Sequence, residues 1–128
     1  LKAFDIENPV FFADLDWKLL MKTIRNQVVK YTEISKFPAV SRDLALLIDQ
    51  SVEFGRIEQI AYQTEKKLLK AVTLFDVYEG KNLPAGKKSY AVNFILQDTE
   101  KTMSEKAIDA IMQKLIQQLT KQLGAELR

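Results

Sequence analysis

Ser89-Tyr90-Ala91-Val92-Asn93-Phe94-Ile95-Leu96-Gln97 sets Tyr90, Val92, Phe94 and Leu96 in strict alternation with Ser89, Ala91, Asn93 and Ile95. Successive side chains of a strand point to opposite faces, so this stretch reads as a strand with one bulky face and one mostly small or polar face. Outward from it, the run Val40 to Asp49 does the same: Leu44, Leu46 and Ile48 fall on one side of the pleat, Asp43, Ala45 and Leu47 on the other. Near residues 71–78, Phe75 and Val77 oppose Asp76 and Tyr78. One face of each strand wants a core. If helices cover that face, the other is a shallow surface of Ala45, Ala91, Ser89 and Asp76 beside one exposed aromatic, Tyr78, on which a flat base can stack.

Two helical stretches are available for the cover. Residues 53–66 place Ile57, Ile60, Ala61, Thr64 and, just beyond, Leu68 at spacings of three and four. The second opens at Ser104, an N-cap residue with Glu105 in the first turn, or at Thr102 with Glu105 as its capping-box partner. It buries Ala107, Ile108, Ile111, Met112, Leu115, Ile116 and Leu119, and Gly124 ends it before a brief edge strand at 125–128. The loop 79–88 holds two glycines and a proline, which forbid regular structure, and Lys81, Lys87 and Lys88 make it basic. The order strand, helix, strand, strand, helix, strand over residues 37–128 predicts an α+β ferredoxin-like sandwich: a four-stranded antiparallel sheet with two helices on one face. Val72, Leu74, Leu47 and Ile95 are apolar on the supposedly open side, and residues 1–36 or a further domain are expected to shield them.

Residues 1–36 read as a separate extension of hairpin and helix. Residues 1–6 and 10–15 suggest two short strands around a turn at Glu7-Asn8-Pro9. Asp16 then caps a short helix whose Trp17, Leu20, Met21 and Ile24 share a face, with Trp17 as core of this piece. A polar stretch leads to Phe37-Pro38, the expected boundary. The chain opens on Leu1 and runs into Ala3-Phe4-Asp5-Ile6 without an initiator methionine, as expected of a piece of a longer polypeptide.

Composition narrows the chemistry. At 128 residues, 47% hydrophobic and 28% charged, the chain has the profile of one globular core with a small appendage. Its apolar runs are far short of the ~20 residues of a membrane span, and a cytosolic setting is the default. With no cysteine and no histidine, disulfides, thiolate nucleophiles, histidine triads and the usual transition-metal ligands are excluded. The clusters Asp43/Asp49 and Asp98/Glu100 lack a partner base or metal-ligand spacing. A net charge of +2 is far below that of a protein holding nucleic acid by phosphate neutralisation alone, so any RNA affinity in isolation should be weak.

Five landmarks then point to one family. Phe37-Pro38-Ala39-Val40 with Arg42-Asp43-Leu44-Ala45, Phe75-Asp76-Val77-Tyr78-Glu79-Gly80, Gly86-Lys87-Lys88-Ser89, Lys101-Thr102-Met103-Ser104-Glu105 and Gly124-Ala125-Glu126-Leu127-Arg128 occur in that order. They closely resemble the ferredoxin-fold anticodon-binding domain that closes the beta chain of bacterial phenylalanyl-tRNA synthetases. Residues 1–36 look like the tail of that chain's preceding domain. The family often has arginine, threonine and leucine where Lys101, Thr102 and Met103 stand, a departure that keeps the charge and the apolar filler.

The resemblance implies a non-catalytic module that grips the anticodon stem-loop of phenylalanine tRNA. The ligase chemistry, with its ATP and magnesium, would lie elsewhere in a cytoplasmic assembly of two alpha and two beta subunits, and this piece would hold no cofactor and bind neither DNA nor membrane. The family's anticodon contacts carry over to Asp76, Tyr78, Ala45 and Ser89, with Asp76 reading a guanine's donors and Tyr78 holding a base by stacking. Lys81, Lys87 and Lys88 are candidates for the stem phosphates. Arg42 either binds phosphate or pins the sheet edge through Asp43 or Asp98. The plainer alternatives make Tyr78 a cap against a neighbouring domain, Asp76 a loop cap or partner of Lys87 or Lys88, and the lysine loop a solvated connection. A competing function is a small-ligand regulatory domain of the same fold that binds an amino acid; such domains usually carry glycine-rich turns at the ligand edge, and none follows the first strand here.

Overall fold

A computed structural model describes Phe4 and residues 10–26, 28–31 and 33–128. The chain divides into two compact units, Leu1–Glu33 and Ile34–Arg128.

In the first unit, helix α1 (Trp17–Ile24) is capped by Asp16, whose carboxylate accepts from the Leu19 amide at 3.0 Å. The turn and most of the first arm of the expected hairpin lie outside the described residues. Its second arm, residues 10–15, is irregular rather than a strand. Trp17, expected as core, is exposed with Leu20, Met21 and Ile24, because among the described residues of its own unit no second layer packs against this eight-residue helix.

The second unit runs β1 (Val40–Asp49), α2 (Phe54–Thr64), β2 (Leu69–Tyr78), β3 (Lys87–Leu96), α3 (Glu105–Leu123) and β4 (Glu126–Leu127). The four strands form one antiparallel sheet in the order β2-β3-β1-β4, the ferredoxin-like arrangement, with the core between the sheet and the two helices. Tyr90, Val92, Phe94 and Leu96 of β3 and Leu46 and Ile48 of β1 meet Ile57, Ile60 and Ala61 of α2 and Ile108, Ile111, Leu115 and Leu119 of α3. The stripe on α3 recurs at three- and four-residue steps, which keeps it on one side of the helix.

Local chemistry fixes where α3 starts and stops. Ser104, not Thr102, is its N-cap, with the hydroxyl accepting from the Ala107 amide. Gly124 leaves the helix at φ 61°, a left-handed conformation that a β-carbon would strain, and its amide donates to the Thr120 carbonyl. The Thr120 hydroxyl then donates to the Ala125 carbonyl at 2.8 Å, and β4 pairs with β1. At the other edge of the unit, the Gln97 side-chain amide donates to the Phe37 carbonyl at 2.8 Å, tying the incoming chain to the end of β3.

Strand β2 departs from simple alternation. Its register against β3 slips between Leu69 and Ala71 and again between Leu74 and Asp76, so Lys70 and Phe75 are extra residues. Val72 and Leu74 therefore pair with Phe94 and Val92 and face the core, where an unbroken pleat would have put them on the open side. Beyond the second bulge, Val77 pairs with Tyr90 toward the helices, while Asp76 and Tyr78 pair with Ala91 and Ser89 on the open face. Phe75 does not share Val77's side: it lies on the open face beside Thr73, Asn93 and Asp43. Val72 and Leu74 thus need no shield from another domain, and the residual apolar pair on the open face, Leu47 and Ile95, is half-buried.

Candidate nucleic-acid interface

The open face is organised in rows across the sheet. Tyr78, Ser89 and Leu47 form one, Asp76, Ala91 and Ala45 the next, and Thr73, Asn93 and Asp43 a third further along. The alternation of β1 and β3 places Ala45 and Ser89 here. In β2 it is the bulge at Phe75 that delivers Asp76 and Tyr78 to the same side. The structure therefore brings Asp76, Tyr78, Ala45 and Ser89 together in one corner.

Tyr78 is 38% exposed and points away from the helices. Its phenol end lies against Gly80: a β-carbon there would come within 2.5 Å of the Tyr78 hydroxyl, so glycine is what lets the ring lie down on its own loop. The Arg128 guanidinium sits 5.4 Å from the ring centroid, within cation–π range. Arg128 is anchored by its amide, which donates to the Ala45 carbonyl at 3.0 Å. With β3 and β1 lying between β2 and β4, the Tyr78–Arg128 contact crosses the sheet diagonally, from the row of Ser89, which is only 7% exposed, to the row of Ala45. Ala45 and Ala91 offer methyl groups alone, so the backbone at the centre of this corner is open to close approach. Asp76 is exposed and forms no ion pair among the described residues.

The basic candidates separate. Lys81 is exposed on the loop, and Lys87 is half-buried opposite Asp49 at the edge of the open face. Lys88 has the parity of Tyr90, so it lies on the helix-covered side, 7% exposed, with its ammonium 4.6 Å from the Tyr90 ring centroid. That placement removes Lys88 from the open face. Arg42 also has core-side parity: its guanidinium meets Glu105, in the first turn of α3, at 2.7 Å. Its partner is thus neither Asp43 nor Asp98, and it ties β1 to the start of α3. Asp49 closes β1: the Ser51 hydroxyl and amide donate to its carboxylate at 2.6 and 2.9 Å. Those bonds first, then Lys87 and Lys88, hold its carboxyl below the ordinary carboxylate range.

Two residues of this face were not among the sequence candidates. Arg128 carries no local signal of its role, which depends on a contact spanning the sheet from β4 to β2, although the alternation of β4 places it on the side of Leu47. Simple alternation puts Phe75 in the core with Val77, and the bulge reverses it. Among the described residues no group of three or more acidic side chains is placed to hold a metal ion, and no helix is long and apolar enough to cross a membrane.

An antiparallel sheet with helices on one face and an aromatic, a carboxylate and small residues together in an open corner of the other defines an α+β sandwich of the ferredoxin-like class with one uncovered strand face. The model of the ferredoxin-fold anticodon binding domain family matches residues 35–128, and the chain belongs to that family. Over its 128 residues it is 66% identical to the phenylalanine-tRNA ligase beta subunit of Bacteroides fragilis (strain YCH46), 65% to that of Bacteroides thetaiotaomicron and 54% to that of Porphyromonas gingivalis. In each case the chain spans 16% of the length of the relative it matches.

Proposed function

We propose that this chain is the anticodon-gripping part of a phenylalanine-tRNA ligase beta subunit and that the corner around Tyr78 receives an unpaired base of the anticodon loop. The observation that carries the reading is the convergence of Tyr78, Asp76, Ala45 and Ser89 on the uncovered side of a sheet whose other side is sealed by helices. Tyr78 stacks the base, Asp76 accepts from its ring and exocyclic N–H donors, and Ala45 lets the base approach the strands. Arg128 covers the tyrosine ring in the free protein and, when a base takes that place, is positioned for a neighbouring phosphate. Lys81 and Lys87 add salt-sensitive attraction that discriminates little between sequences. Lys88 and Arg42 hold the domain together rather than touch RNA.

In this reading residues 1–36 are the tail of the preceding beta-chain domain. Aminoacylation with ATP and magnesium takes place elsewhere, in a cytoplasmic assembly with alpha subunits as an alpha-two beta-two tetramer. This part positions the tRNA without entering the chemistry, so its loss acts on tRNA recognition alone.

The test is Tyr78→Ala in the whole synthetase. Base-on-aromatic stacking is worth about 1–3 kcal/mol, so the Michaelis constant for phenylalanine tRNA should rise about 5- to 100-fold. ATP-dependent activation of the amino acid should be unchanged. An equal loss in both assays would mean a folding defect and would remove the support for base stacking. Tyr78→Phe should be mild, because stacking needs the ring and not the hydroxyl.

A further inference from the structure

The open face carries a second recess that none of the contacts assigned above uses. Asp43, Thr73, Phe75 and Asn93 line a shallow depression of about 350 Å³. Phe75 is the bulged residue of β2, 58% exposed, and the bulge is what turns its ring onto this side of the sheet. Beside it Asn93 is held in place, its amide nitrogen donating to the Ser41 hydroxyl and, at 2.6 Å, to the Asp43 carboxylate. Asp43 thus stands in a fixed orientation, and it forms no ion pair among the described residues, since its neighbour Arg42 points through the sheet to Glu105. An aromatic face next to a pinned, unneutralised carboxylate suits a planar ring that carries an amino group.

We infer that this recess is a second nucleobase subsite on the same RNA strand, in which Phe75 stacks an unpaired base and Asp43 accepts from its exocyclic amino group. The inference rests on the proposed anticodon reading and extends it along the sheet. The Asn93 row lies four residues from the Ser89 row on β3, about 13 Å at the usual strand rise. Stacked nucleotides are about 3.4 Å apart along a strand, so a base here is not the stacked neighbour of the one on Tyr78. It must be splayed out separately, the form in which single-stranded loops are usually read. The two subsites share one uninterrupted face, with Asp76, Ala91 and Ala45 between them. Uracil lacks an amino group, so the subsite favours adenine, cytosine or guanine over uracil.

The experiment titrates the 128-residue chain, and its Phe75→Ala and Tyr78→Ala variants, with a phenylalanine-tRNA anticodon stem-loop and with versions made abasic at one loop position at a time. Phe75→Ala should weaken binding by about 5- to 100-fold at constant salt, and thermal melting should confirm that the variant folds. One abasic position should weaken the unmodified chain but not Phe75→Ala, and it should differ from the position coupled to Tyr78. Asp43→Asn should lose the preference against uracil at that position. If Tyr78→Ala weakens binding while Phe75→Ala matches the parent chain, the second subsite is overturned and the anticodon reading stands; Phe75 then belongs to a contact with protein. If the parent chain, tested up to millimolar stem-loop in low salt, binds none of these RNAs, both readings fall together.

Discussion

Phe94 and Phe75 sit on neighbouring strands of one sheet, yet Phe94 is fully buried beneath the helices and Phe75 is 58% exposed on the opposite side. Composition does not separate them; backbone phase does. Strand β3 alternates without interruption, so each residue's face follows from its position in the count. Strand β2 spends one extra residue at Phe75, and everything beyond that point is set against β3 with the opposite parity. The core is therefore built where the pleat is regular, and the candidate binding face owes Asp76, Tyr78 and Phe75 to the place where it is not.

The harshest way to break this contrast is to delete one residue from each strand. Deletion of Asn93 should abolish cooperative unfolding, because it sends one half of β3 to the wrong face and cannot keep both Phe94 and Val92 in the core. Deletion of Phe75 should leave a folded domain. Leu74 and Asp76 already face opposite ways, so joining them restores ordinary alternation and keeps Tyr78 on the open side. Circular dichroism melts and amide dispersion in NMR spectra distinguish the two; a folded deletion of Asn93 or an unfolded deletion of Phe75 would refute the bulge account. Substitution gives a smaller version of the same comparison. Phe94→Ala should cost about 3–5 kcal/mol, whereas Phe75→Ala should stay within about 0.5 kcal/mol, as read from denaturant melts.

Those deletions also show why part of the molecule could be read from the chain and part could not. The run from Ser89 to Leu96 and the matching run in β1 carry a period of two that survives inspection, and the helical stripes of Ile57, Ile60 and Ala61 and of Ile108 to Leu119 carry their own period. Simple alternation puts Ala45, Ser89, Asp76 and Tyr78 on the open face, and the strand registers have them there. In β2, however, Val72 and Leu74 keep one phase and Val77 the other, and that change of phase was the available sign of an extra residue at 75. Lys88 and Arg42 share the charge of the loop candidates, but each has the parity of a core-side neighbour, Tyr90, which is buried, and Leu44, which is half-buried against the core. Arg128 over Tyr78 is of another kind: it joins residues 50 positions apart across the sheet, and no local period encodes it.

The smallest expected effect lies at the end of the regular pair, where β1 stops at Asp49 opposite Lys87. Two hydrogen bonds from Ser51 stabilise the ionised carboxylate, and Lys87 and Lys88 add to them, so the folded-state pKa lies below the ordinary value of 3.8. A depressed carboxyl contributes stability that is fully present above the unfolded pKa and is lost as pH falls through the folded one. The contribution should therefore vanish only in strongly acidic solution and leave neutral pH untouched. A carbon-detected NMR titration of the Asp49 carboxyl should place its midpoint under 3.8. Ser51→Ala should raise that midpoint, because it removes the hydroxyl donor and leaves the backbone amide in place. A midpoint that Ser51→Ala does not move would transfer the shift to the Ser51 amide or to the lysines, and only in the second case should it shrink on adding salt, which screens exposed charges more than it weakens a short hydrogen bond.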